Sequence, residues 1–231
     1  MGRADRWKQK RHSKLGVVHV IIGIVLVIVV TSLVLFFTDS FGLASSLRTM
    51  FNSAEEVVLD EDGLVLIEGD YIIDTAGARL EETRITGNLY LAPEIGSGRV
   101  DLATVKVNGA VLIQGGGLHS VYLENCIFGE VTVNRPEGRV KLEATGTTSI
   151  EKVILESGAL LVENVTAGAD GFIMVEVATD QRAELEGDFK FIQVTAADAN
   201  VSISSTQLEE LMVVSTATGT ALSLSEGLII D

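Results

Sequence analysis

The residues of this 231-residue chain that could carry covalent or metal chemistry are few and scattered. Cys126 is the only cysteine, so no intrachain disulfide can form. A thiol nucleophile needs a base within hydrogen-bond reach, and His119 is the one histidine beyond residue 37. Cys126 also stands where Val105 and Val165 stand in neighbouring repeats, which makes it a small core residue. Glycoside cleavage needs two carboxylates at a set separation, and a lyase needs acidic calcium ligands with a basic residue. The acidic neighbours are Glu55-Glu56, Asp60-Glu61-Asp62, Glu81-Glu82 and Glu209-Glu210, and no shared period gathers them on one face. Asp60-Glu61-Asp62-Gly63 lacks the alternating ligands and distal Glu of a calcium loop and reads as a solvated acidic turn. Gly115-Gly116-Gly117 is followed by neither Lys-Ser/Thr nor a helix, so it is a glycine-rich turn and no phosphate cradle. Asn164-Val165-Thr166 and Asn200-Val201-Ser202 match the glycosylation sequon, which matters only in a eukaryotic secretory pathway. This reading assigns no catalytic residue, no metal ligand and no cofactor.

The elements behind these residues form a repeat. Leu89, Val111, Val131, Val153, Ile173, Val194 and Met212 make one apolar column, spaced by 22, 20, 22, 20, 21 and 18 residues. Two residues later runs a second: Leu91, Ile113, Val133, Leu155, Val175, Ala196 and Val214. A period near 20 with local alternation of two predicts stacked coils that share one core. Each coil reads as three short strands, as in Val131-Thr132-Val133, Val140-Lys141-Leu142 and Cys126-Ile127-Phe128. Gly87, Gly109, Gly129 and Gly171 mark the entry to the first strand, where a corner favours a residue without Cβ. The fold expected over 64–231 is therefore an all-β, right-handed parallel β-helix of 18–22 residues per coil. Three strands consume about 13 of some 20 residues in a coil, leaving about seven for three turns. Such turns are too short to wall a catalytic cleft.

Charge divides the chain. Its formal total is −15, yet residues 1–14 are basic, with Arg3, Arg6, Lys8, Lys10, Arg11 and Lys14 against Asp5. The acidic remainder repels phosphates, which excludes nucleic-acid binding. Residues 15–37 contain no Asp, Glu, Lys or Arg and suffice for a transmembrane signal anchor. Their basic flank keeps residues 1–14 in the cytoplasm and sends the body across the membrane. His19 lies five residues from Lys14 and reads as interfacial. Residues 38–63 are linker and cap. Within 40–58, Leu47, Met50, Phe51, Ala54, Val57 and Val58 recur at helical spacing, and such an amphipathic helix would cover the open end of a solenoid.

The Gly-x-Val-x-Val, turn, Val-x-Leu pattern resembles the parallel β-helix repeats of bacterial cell-surface proteins. It is also similar to bactofilins and, more distantly, to pectate-lyase-like β-helices. The resemblance implies scaffolding, self-assembly or adhesion, with polysaccharide cleavage confined to the longer lyase-like members. One surface series stands out beside it. The outward residues of strand one are read as Tyr90, Leu112, Thr132, Ile154, Met174, Thr195 and Val213, apolar or β-branched throughout. Those of strand two are read as Asp101, Tyr122, Lys141, Leu161, Glu184, Ser202 and Ser223, mostly polar. Continuous apolar surface marks an interface. The expected function is a non-enzymatic, single-pass, extracytoplasmic scaffold or adhesin that meets a protein partner or its own copy through this stripe. The alternative is a module for cell-wall or extracellular polysaccharide, for which Tyr90 and Tyr122 are the aromatic candidates.

Overall fold

The computed structural model describes residues 58–205 and 207–230. The anchor expected at 15–37 and the cap expected over 40–58 lie outside the described residues, apart from Val58. Among the described residues no helix is long and apolar enough to cross a membrane.

Alternation in the sequence makes these segments strands, and stacking makes them stable. Among the described residues the ladders between strands are parallel, each joining a strand to its counterpart about one coil away, and the isolated bridge Leu59–Val65 is antiparallel. Three ladders result. Side A pairs residues 65–67, 83–85 and 105–107 onward to Ile127, Phe128, Ser149 and Ile150. Side B pairs 71–73, 89–91, 111–113, 131–133, 153–155, 175–177, 192–194 and 211–213, which makes eight coils. Side C pairs Ala78 through Glu81 with Val100 through Ala103, and later Val140, Ala159, Ala183, Val201 and Leu222. Eight coils at the ~4.8 Å strand spacing give a stack about 38 Å long. The only helix among the described residues is the single 3₁₀ turn Pro93–Ile95.

The inward columns form one continuous core. Val111, Val131, Val153 and Val175 succeed one another on side B, each at most 1% exposed. At the corner from side A to side B, Val107, Phe128, Ile150 and Phe172 stack in turn. Phe172 then lies against Phe189, ring centroids 6.1 Å apart and nearly parallel. Cys126 is fully buried beside Val105, as its position in the repeat implies, but its other stacking neighbour is Thr148, whose Oγ1 accepts the Cys126 N–H at 3.2 Å. Val165 belongs to side C instead, paired with Gly146.

The columns read from sequence need correction in the last three coils. Val153 pairs with Val175, not Ile173, and the succession continues through Ile192 and Leu211. Val194 therefore belongs to the second column, after Leu155 and Val177, and Met212 faces outward, paired with Gln193. The run Ile173-Met174-Val175-Glu176-Val177 alternates in either register, because a slip of two residues keeps every side chain on its face. Seating Phe172 on Ile150 selects the one observed. On side C the outward residue is Leu160, which pairs with Lys141 and Glu184, while Leu161 is fully buried. The segment Ala159-Leu160-Leu161-Val162 has no polar alternation to show this.

Candidate interaction surface

Side B carries two adjacent outward columns. The first runs Ile72, Tyr90, Leu112, Thr132, Ile154, Glu176, Gln193 and Met212. Its first five members are apolar or β-branched, with Ile72 62% exposed and the next four half-buried. The second includes Glu130, Lys152, Met174, Phe191 and Glu210. Lys152 Nζ meets Glu176 Oε2 at 2.8 Å, a pair that crosses from one column to the other. Beyond that pair the apolar character moves sideways: Met174, Phe191 and Met212 line a shallow hollow of about 190 Å³ together with Gln193 and Glu210.

The seven residues proposed as a stripe are thus only partly collinear. Tyr90, Leu112, Thr132 and Ile154 stand in one column on consecutive coils. Met174 sits one column over, beside Lys152 and Phe191. Thr195 lies past the end of the paired strand, where its hydroxyl donates to Glu176 Oε1 at 3.2 Å. Val213 occupies the inward column after Val194 and is exposed because it belongs to the last coil. Sequence reasoning missed Ile72 and Phe191. Ile72 in Tyr71-Ile72-Ile73 has no polar neighbour to set its face, and the alternation Phe189-Lys190-Phe191 marks Phe191 as inward.

The two tyrosines differ. Tyr122, on side C, has Arg99 4.0 Å and Lys141 4.9 Å from its ring centroid, from the coils on either side. Cation–π contacts occupy that ring, so it is no open platform for a sugar. Tyr90 keeps its place in the side B column, its hydroxyl accepting from Asn88 Nδ2 at 3.3 Å.

The acidic turn is ion-paired. Asp60 Oδ1 accepts the N–H groups of Asp62 and Leu64 at 2.9 and 2.8 Å, and Asp60 pairs closely with Arg84. Asp62 meets Arg84 at 2.6 Å and Lys106 at 2.8 Å. The Arg84 guanidinium holds the Asp60 carboxyl below the usual carboxylate range, and Lys106 does the same for Asp62. Both cations are committed to the turn, which clamps the first coils together. The Cys126 thiol is pushed up to about 12 by burial, which leaves it unreactive at neutral pH. Among the described residues no three His, Cys, Asp or Glu side chains converge as a metal cluster.

Comparison with protein-family models, curated proteins and solved structures returned no match for this chain.

Proposed function

We propose that this protein is a non-enzymatic scaffold, held by a single N-terminal membrane anchor, whose right-handed β-helix stands outside the cytoplasmic membrane of a bacterium and docks a protein through side B. The partner is a second copy or another membrane-confined protein. The observation that carries the reading is the outward ladder Ile72, Tyr90, Leu112, Thr132 and Ile154: five coils in register with no charge among them. The anchor rests on the basic flank and the uncharged residues 15–37.

Magnitudes favour a weak contact. Fully burying an exposed large apolar side chain is worth about 1.5–3 kcal/mol, and four of these five are already half-buried. Association costs roughly 4–15 kcal/mol, so the ladder alone gives little surplus. Confinement to one membrane raises effective concentration and offsets much of that cost.

Cys126 is buried and unreactive, so Thr132→Cys introduces the one reactive thiol, midway along the ladder. In intact protoplasts a membrane-impermeant maleimide should label it without lysis. A short bifunctional maleimide should cross-link it to a membrane neighbour, and adding Leu112→Lys/Ile154→Lys should remove that product. Labelling only after lysis would overturn the topology. A thiol that labels freely but never cross-links would overturn the docking surface.

A further inference from the structure

The side B turns contain a cleft that the scaffold reading does not use. Three successive coils build it. The outer two end side B in turns that project: Pro93 and Glu94 are exposed on one, Pro136 and Glu137 on the other. These are the only two prolines in the chain. The coil between them ends in Gly115-Gly116-Gly117, which is buried. A Cβ on Gly115 would collide with the Ala92 carbonyl, and Gly116 has φ +104°, a conformation other residues rarely adopt. Gly117 N–H donates to Ser120 Oγ at 2.5 Å, which folds the triple glycine flat. Beside this tightly packed turn, Pro93, Gly96, Gln114, Asn134, Arg135, Pro136 and Glu137 line a notch of about 440 Å³, within the size range of small-ligand sites.

Its polar groups define the ligand. Gln114 and Asn134 project from adjacent coils at the ends of paired strands. Asn134 Nδ2 donates to Glu156 Oε2 at 2.7 Å, which fixes the carboxamide of this lining residue. Among the described residues Arg135 is the only cation lining the cleft, and its guanidinium is already engaged. Nη1 donates to the Gly116 carbonyl and Nη2 to Ser97 Oγ at 3.1 Å, tying three coils together. That commitment, with Glu137 on the rim and a chain charge of −15, disfavours an anion. Primary amides offer a donor and an acceptor side by side, which suits hydroxyl and acetamido groups. Proline rings supply apolar walls for the C–H face of a pyranose.

We infer that the cleft between the Pro93 and Pro136 turns binds an uncharged saccharide through Gln114 and Asn134. Few contacts in an open notch imply weak affinity, near ~1 mM. The full chain in amine-oxide micelles, which carry no sugar headgroup, can be titrated calorimetrically with three probes. N-acetylglucosamine tetramer represents cell-wall glycan, maltotetraose a neutral glucan and polygalacturonate an anionic polymer. One of the two neutral oligosaccharides should bind, and which one identifies the source. Gln114→Ala and Asn134→Ala, both at half-buried outward positions, should melt like the parent and weaken that binding at least tenfold. Absence of binding by both neutral probes, binding undiminished in the two variants, or tighter binding of polygalacturonate would each overturn the assignment.

Discussion

Between side C and side A, the coils up to Asn125 turn on left-handed residues that carry side chains, whereas glycine takes corners in the later coils. Glu82, Thr104 and Asn125 adopt φ of 46°, 55° and 55°. Gly146 and Gly187 take two of the later corners with φ of 63° and 127°, while the corner after Asn200–Ser204 carries Ser205. A left-handed residue with a Cβ costs roughly 1–2 kcal/mol, and the early coils bear that cost twice without breaking the strand. Ala78–Ile85 and Val100–Val107 each run through the corner as one strand, so their ladders continue on both sides of it. The strand does break at Asn125, between Tyr122–Glu124 and Ile127–Val133, and in the later coils, where Ala159–Val165 ends before Gly171–Val177 begins. What they gain is room. A Cβ on Gly146 would collide with the Asn125 carboxamide, and one on Gly171 with the Glu163 carboxyl. A Cβ on Gly187 would sit 2.6 Å from that of Glu163. Glycine corners let polar side chains fold into the wall of the solenoid, and one of them is titratable.

Glu163 shows the consequence. Its carboxylate Oε2 accepts the Phe172 N–H at 2.6 Å. Burial nevertheless pushes its carboxyl up to about 7, with Asp188 adding to the rise and the Phe172 N–H and Lys190 opposing it. Lys190 itself is held by Asp170 at 2.6 Å. In the first coils, by contrast, the acidic turn is ion-paired, and Asp60 and Asp62 are shifted downward.

If the halves differ only at their corners, their cores must respond alike. Val111→Asp and Val175→Asp each bury an unpaired carboxylate in the same column and should cost ~3–5 kcal/mol, read by chemical denaturation. Ile173→Asp, outside that column, should cost less than about 1 kcal/mol. A mild effect at Val175 with a severe one at Ile173 would restore the register read from alternation. Smaller effects should separate the corners. Gly146→Ala adds a left-handed Cβ against Asn125 and should lose about 1–2 kcal/mol, whereas Thr104→Gly removes that strain and should stay within ~1 kcal/mol of the parent. Equal losses would mean that corner chemistry does not distinguish the halves. The remaining effect is Glu163's response to pH. Its folded value lies above the unfolded one near 4.5, so its contribution is complete below pH 4.5 and is lost as pH rises to about 7. After allowance for solvent screening of a partly exposed carboxyl, the loss is at most ~2 kcal/mol. The melting temperature of the parent relative to Glu163→Gln should fall across that window. A flat difference would place Glu163 in water.

Much of this was legible along the chain. The repeat near 20 residues, which aligns Leu89-Tyr90-Leu91 and Val111-Leu112-Ile113 with the alternating Val131-Thr132-Val133, determined the coil, its core face and the outward ladder Tyr90, Leu112, Thr132, Ile154, which the strand pairing places in one column. Cys126 was legible as core from its repeat position. Alternation records only parity, however. It cannot distinguish registers two residues apart at Ile173, nor choose between Leu160 and Leu161 where every residue is apolar. Those choices were made by neighbours a coil away: Ile150 and Phe189 around Phe172, Leu142 and Leu185 around Leu161. The cleft and the Glu163 corner lie wholly beyond sequence reading. Pro93, Gln114 and Pro136 come together from three turns, and Glu163, Gly171 and Gly187 from two coils. Local chemistry along the chain determines which face each side chain takes; which residues meet across coils is decided only when the stack closes, because the contacts that decide it are about twenty residues apart.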